Sequence, residues 1–265
     1  MKDPTQHSHN LTSHIGELIR NDISEDQAGV PLYLDIQLID TSTCSPVPAV
    51  YVDAWHCNST GVYSGVTASG NGNSDDETNL DATFLRGVQQ TDSNGVVQFE
   101  TVFPGHYTGR APHIHVLTHN TNDTIVRSNF TVLNSNFTTH ASHVGQIFFD
   151  QSLISDVEAT APYNTNTQEL TTNADDSILS EETDTMDPFI EYIYVNPDNI
   201  ADGILGWISL GIDPTADDEI TSAATYYESG GVSNENSGMG GPGGAPPGGS
   251  GMPSGTAAPT AAASA

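Results

Sequence analysis

The chain has 265 residues and a formal net charge of −29, from 34 Asp and Glu against five Lys and Arg. So acidic a surface repels phosphate backbones and anionic membranes, which excludes nucleic acid as a partner. Hydrophobic residues make up 35% of the chain, enough to bury the core of one large domain or two small ones.

In chain order, residues 1–29 are polar apart from SHIGELIRNDI, whose amphipathic spacing predicts a short N-terminal helical arm. From Val30 the pattern changes. PLYLDIQLID alternates apolar and polar residues as a half-buried strand does, and AVYVDAWHC repeats the pattern after a Ser-Pro-Val-Pro turn. TASGNGNSDDETNLDATFLRG (residues 67–87) is a long Gly/Asn/Asp loop, and loops of that length in a compact domain are often functional. Its DDET run suits a solvated acidic loop better than a calcium site. Its Phe84 and Leu85 are candidate pocket-wall residues. DSNGVVQFETVF, HIHVLTHN, TIVRSNFTV and GQIFFD then read as strands with turns between them. QELTTNADDSILSEETDTMD (residues 168–187) is acidic and partly helical, and FIEYIYV and ILGWISLGI resume the strands. The expectation is an all-β fold, an antiparallel β-sandwich with long loops, over residues 30–220. Residues 221–265 drift into Gly, Pro, Ala and Ser, which cannot bury a core and predict a disordered tail.

No apolar run is long enough to span a membrane. N-x-S/T sequons stand at Asn10, Asn58, Asn122, Asn129 and Asn136. Five of them, with few lysines, favour a secreted glycoprotein. MKDPTQHSHN shows no signal peptide, so the expectation is a leader removed before the numbering starts. In an oxidising compartment Cys44 and Cys57 are expected to form a disulfide, worth about 3 kcal/mol by chain entropy and bracing the segment before Tyr63.

The chemistry concentrates in FPGHYTGRAPHIHV, residues 103–116. On a strand, residues two apart project to one face, so His113 and His115 can reach one metal ion while Ile114 points into the core. A bare H-x-H is a weak signal, since His7 and His9 share the spacing. Its neighbours strengthen it. Tyr107 follows a Pro-Gly turn, Arg110 precedes the first histidine by three, and Pro112 stiffens the strand entry. A second cluster, VDAWHCNSTGVYSG, places Tyr63 in a Gly-flanked turn after a strand. Phenolate is a hard oxygen ligand that ferric iron favours, and imidazole suits iron too. Two tyrosinates, two neutral imidazoles and one hydroxide would balance a trivalent ion. Zinc is the competitor, but no H-E-x-x-H occurs. Trp55 reads as core or pocket wall and His56 as structural. His106 should point away from the Tyr107 face, and His119, His140 and His143 read as loop surface.

VDAWHCNSTGVYSG and FPGHYTGRAPHIHV resemble the two signature segments of the intradiol ring-cleavage dioxygenases, which include catechol, hydroxyquinol and protocatechuate dioxygenases. The resemblance runs from about residue 30 to residue 213 and is nearest the secreted fungal branch. It implies a β-sandwich holding non-haem Fe(III) through Tyr63, Tyr107, His113 and His115. It further implies that Tyr63 takes a proton from a catechol-type diol, that Arg110 stabilises charge on the ring, and that Gln146 is the active-site glutamine. The reaction would insert O2 between the hydroxyl-bearing carbons to give a cis,cis-muconate-type diacid. The helical segment that catechol dioxygenases use to dimerise is missing, so a homodimer stays open, as does the diol. Two other readings compete: a non-enzymatic secreted β-sandwich for adhesion or carbohydrate binding, and a zinc hydrolase on the same scaffold.

Overall fold

The alternation in PLYLDIQLID becomes strand β1, Pro31–Asp40, in which Leu32, Leu34, Ile36 and Leu38 are all but fully buried. Burying each such side chain contributes about 1.5–3 kcal/mol, which fixes the register of the strand. The computed structural model describes residues 14–15, 18–67, 76–120, 125–126, 131–133, 140–219, 224–227 and 230–233. Its other main strands are β2 (Tyr51–Trp55), β3 (Arg86–Gln90), β4 (Val96–Val102) and β5 (His113–His119). They continue with β6 (His143–Phe148), β7 (Glu191–Tyr194) and β8 (Ile204–Ile212). Two short helices, α1 (Gln151–Glu158) and α2 (Ser177–Thr183), follow β6.

The strands form two four-stranded sheets, in the orders β6-β5-β2-β3 and β7-β8-β1-β4. Val52, Ala54, Ile114, Val116 and Ile147 from the first sheet meet Leu32, Leu34, Ile36, Ile204 and Leu210 from the second in one core. The fold is thus the expected all-β sandwich, with one departure: β8 and β1 pair in parallel, Ile204 opposite Leu32.

Three expectations need correction. The arm is not helical among the described residues; it runs extended along two sheet edges. Val88 of β3 accepts from Arg20 N (3.1 Å) and donates to Leu18 O (2.9 Å). Glu100 of β4 accepts from Ile23 N (2.9 Å) and donates to Asn21 O (2.8 Å). Both strands end their sheets, and filling those open ladders outweighs the helical preference of the sequence. The tail boundary at residue 220 is too early, because Ala224–Tyr227 pairs with Gly230–Ser233 and, in parallel, with His14–Ile15. Cys44 and Cys57 are not bridged. Cys44 is exposed in the turn after β1, whereas Cys57 is buried beyond the far end of β2, its thiol donating to Gly105 O at 3.3 Å. Five strand residues span about 17 Å, far past the ~7 Å that a disulfide tolerates between Cα atoms.

Of the sequons, Asn58 lies among the described residues and Asn10, Asn122, Asn129 and Asn136 lie outside them. In the long loop, residues 68–75 also lie outside. Asp76 of the DDET run caps the 3-10 turn Glu77–Asp81, accepting from Thr78 N at 3.0 Å.

Candidate metal centre

The first sheet has an inner face toward the core and an outer face that carries the chemistry. Pairing sets which residues share the outer face: Trp55 stands opposite His115, and His115 opposite Gln146. His113 pairs with Phe148 on the same side, while Ile114 goes to the core. The H-x-H spacing therefore acts as expected, and β5 holds both imidazoles side by side.

Tyr63 reaches them from a turn built by Asn58. The Asn58 Oδ1 accepts from Thr60 N at 3.0 Å and Val62 N at 3.1 Å, and its Nδ2 donates to Gln27 Oε1 at 3.1 Å. Asn79 donates to the carbonyls of Tyr63 and Val66, tying the turn to the 3-10 element. Trp55 packs on the Tyr63 ring with centroids 4.5 Å apart. Gly61 has φ +80°, and a Cβ there would run into His106 O and the Gln168 amide. Gly61→Ala is thus expected to cost at least about 1–3 kcal/mol and to lower the melting temperature by about 5–10 °C, read by calorimetry.

Tyr107 sits in a tight turn closed by Arg110 N donating to Tyr107 O at 3.2 Å, with Gly109 at φ +89°. His106 does point away from the Tyr107 ring's neighbours, but it is buried, not exposed. Its Nδ1 lies 2.8 Å from Glu158 Oε1 and its Nε2 3.1 Å from Gln168 O. Burial alone would lower its pKa; these two acceptors outweigh that and raise it. The His106–Glu158 contact therefore anchors the turn to α1.

The four expected ligands converge. His113 Nε2 lies 3.1 Å from Tyr63 Oη, 3.4 Å from Tyr107 Oη and 3.2 Å from His115 Nε2. His113 Nδ1 is 2.6 Å from Ala111 O, so Nδ1 carries the proton and Nε2 a lone pair. One lone pair accepts one hydrogen bond, so the two phenols, which also hydrogen-bond each other, and the second imidazole crowd it. Four atoms donating lone pairs to one cation would account for that crowding. Metal–imidazole bonds of about 2.0–2.1 Å put neighbouring donors of one ion roughly 3 Å apart. His115 Nδ1 is buried with no hydrogen-bond partner among the described residues. Burial pushes Tyr107 up to about 12 and Tyr63 well above the usual phenol value. It pushes His115 down to about 3 and His113 well below the usual value. Burial thus favours the neutral form of all four groups, and a trivalent ion there would supply charge that favours the phenolates. The donor set fits such an ion. Among the described residues no group of three or more His, Cys, Asp or Glu gathers as a metal site.

Arg110 and Gln146 meet, the guanidinium Nη2 donating to Gln146 Oε1. Sequence reasoning missed Asp176. Its fully buried carboxylate accepts from Arg110 Nε (3.0 Å) and from Ala111 N (2.8 Å). Its other oxygen caps α2 through Ile178 N (2.9 Å) and Leu179 N (3.1 Å). The available signal was an aspartate just before the apolar spacing of SILSEET, the pattern of an N-cap.

The remaining residues divide. His56 is structural as expected, fully buried between Cys57 O and Thr101 Oγ1, both at 2.8 Å. Leu85 is buried with φ +57°, its amide bonded to Ile23 O, and Phe84 O accepts from Ser64 Oγ. His119 was expected on the surface; it is buried at the end of β5, with Nδ1 3.1 Å from His140 O. His143 lies half-buried in β6, not in a loop, and His140 is half-buried in the short strand His140–Ala141.

Beside the outer sheet face, the structure thus gathers two phenols, two imidazoles and a braced guanidinium. Comparison with known proteins identifies its kind. A family model described as Dioxygenase matches residues 3–187. The solved intradiol ring-cleavage dioxygenase from Tetranychus urticae is 30% identical, with a TM-score of 0.59 over 78% of this chain and 96% of that one. A second dioxygenase structure gives 30% identity and a TM-score of 0.57 at the same coverage. No curated protein matches the chain by sequence. The chain belongs to the intradiol ring-cleavage dioxygenase family, and is an enzyme of that oxidoreductase class.

Proposed function

We propose that the chain is a secreted, non-haem Fe(III) enzyme that opens the ring of catechol-type diols with O2, giving cis,cis-muconate-type diacids. The observation that carries the iron is the crowding of three polar atoms around the single lone pair of His113 Nε2. Tyr63, Tyr107, His113 and His115 would hold the ion. When bound, it would act as a Lewis acid on the diol oxygens and accept charge from the ring. The chain's own residues do the rest. Ala111 O fixes the His113 tautomer. Tyr63 Oη, the more deeply buried of the two phenols, would be a phenolate when holding the ion and in that form would take a proton from the diol. Arg110, held by Asp176 and Gln146, places positive charge where the ring carbon becomes electron-rich. Trp55 walls the site beside Tyr63 and His115. Family membership removes the adhesion reading, and the phenol-rich donor set disfavours a zinc hydrolase.

The test is oxygen uptake with catechol, protocatechuate, hydroxyquinol and caffeate, with product identification. One O2 consumed per diol with a ring-opened diacid supports the reading; no uptake on any diol refutes it. Tyr107→Phe should remove much of the phenolate-to-iron visible band of iron-loaded protein. A band as intense as the wild type's would exclude Tyr107 as a ligand. Secretion rests on the sequons, and a mass shift removed by glycosidase on protein from culture medium would support it.

A further inference from the structure

We propose that Asp176 is a positioning residue for the catalytic constellation, setting both the aim of Arg110 and the seat of His113; this rests on the reading given under Proposed function. Its carboxylate is fully buried, and a buried charge persists only where partners replace water. Its partners join three parts of the site. Oδ2 takes Arg110 Nε at 3.0 Å, which leaves the Nη2 edge of the guanidinium turned to Gln146. The same Oδ2 takes Ala111 N at 2.8 Å, and Ala111 O in turn holds the His113 Nδ1 proton at 2.6 Å. Oδ1 caps α2, which fixes the carboxylate's own position. One side chain thus registers a helix start against the arginine and against the residue that orients an imidazole. Residues beyond direct ligands that fix orientation in this way typically matter 10–100-fold.

Asp176→Asn separates this role from simple capping. Asparagine caps helices as well as aspartate does, so Oδ1 can still serve Ile178 and Leu179. Its amide, however, cannot accept from Ala111 N and Arg110 Nε as the second carboxylate oxygen does, which leaves Arg110 Nε only its longer 3.3 Å contact to Oδ1. In metal-free protein the expected result is a folded variant with a lowered melting temperature, since a buried pair is broken, and faster exchange of the Arg110 Nε–H signal in 15N NMR. The chain's four arginines make that spectrum readable. In iron-loaded protein, kcat should fall at least about tenfold with KM little changed. Asp176→Asn should add little further loss to Arg110→Ala, since the two changes remove one unit. An Nε–H as protected in Asp176→Asn as in the wild type, unchanged kcat, or fully additive losses would each overturn the proposal. If the wild type cleaves no diol, the functional reading fails, and the NMR comparison still decides whether Asp176 holds Arg110.

Discussion

Arg110→Ala is expected to lower kcat by about 10²–10³-fold, the loss that follows removal of one preorganised donor from a site of developing negative charge. Iron content should stay near one per chain, because Arg110 is not among the four converging donors. The guanidinium is 12% exposed and gripped from two sides, by Asp176 and Gln146. It therefore needs no reorganisation as charge builds, which is why its contribution should appear in kcat more than in KM. The substitution also strands the Asp176 carboxylate, and breaking a buried pair costs about 3–5 kcal/mol. Three backbone N–H groups still serve that carboxylate, so the cost should fall toward the low end. Melting curves recorded beside the oxygen-uptake rates separate the two effects. Turnover at the wild-type rate in a folded, iron-loaded variant would remove Arg110 from the mechanism.

His113→Ala should have the larger effect on the metal. The other three donor atoms all lie within 3.4 Å of its Nε2. Losing an outer orienting partner costs roughly 10–100-fold in metal affinity, and losing this nitrogen should exceed that. The expected outcome is colourless protein with background iron after purification. Folding should survive, since β5 remains paired on both sides. Full iron occupancy in His113→Ala would end the four-donor site.

The site was legible where chemistry and strand geometry share a period. Two residues apart on a strand means one face, so His113 and His115 could be paired from spacing. Tyr63 and Tyr107 stand out by residue type beside glycine-marked turns, and the structure uses those glycines for close approach. Asp176 was hidden because its partner Arg110 is 66 residues away, and its local N-cap pattern marks a helix start, not a partner of the arginine. The arm misled because amphipathic spacing reports which residues are buried, not whether a vacant sheet edge will claim the backbone. The cysteine pair misled because thirteen residues of separation reads as a short loop, while an intervening strand carries the two thiols to opposite ends. His119 misled because a polar sequence end looks like surface until neighbouring segments cover it.

The parallel pairing of β1 with β8 has a consequence for biosynthesis. Partners such as Gln37 and Ser209 are 172 positions apart, so the second sheet stays incomplete until β8, Ile204–Ile212, has left the ribosome. Such remote pairing makes for slow acquisition of structure. Meanwhile the apolar run LYLDIQL waits without its neighbour, a nascent-chain segment suited to holding by a chaperone.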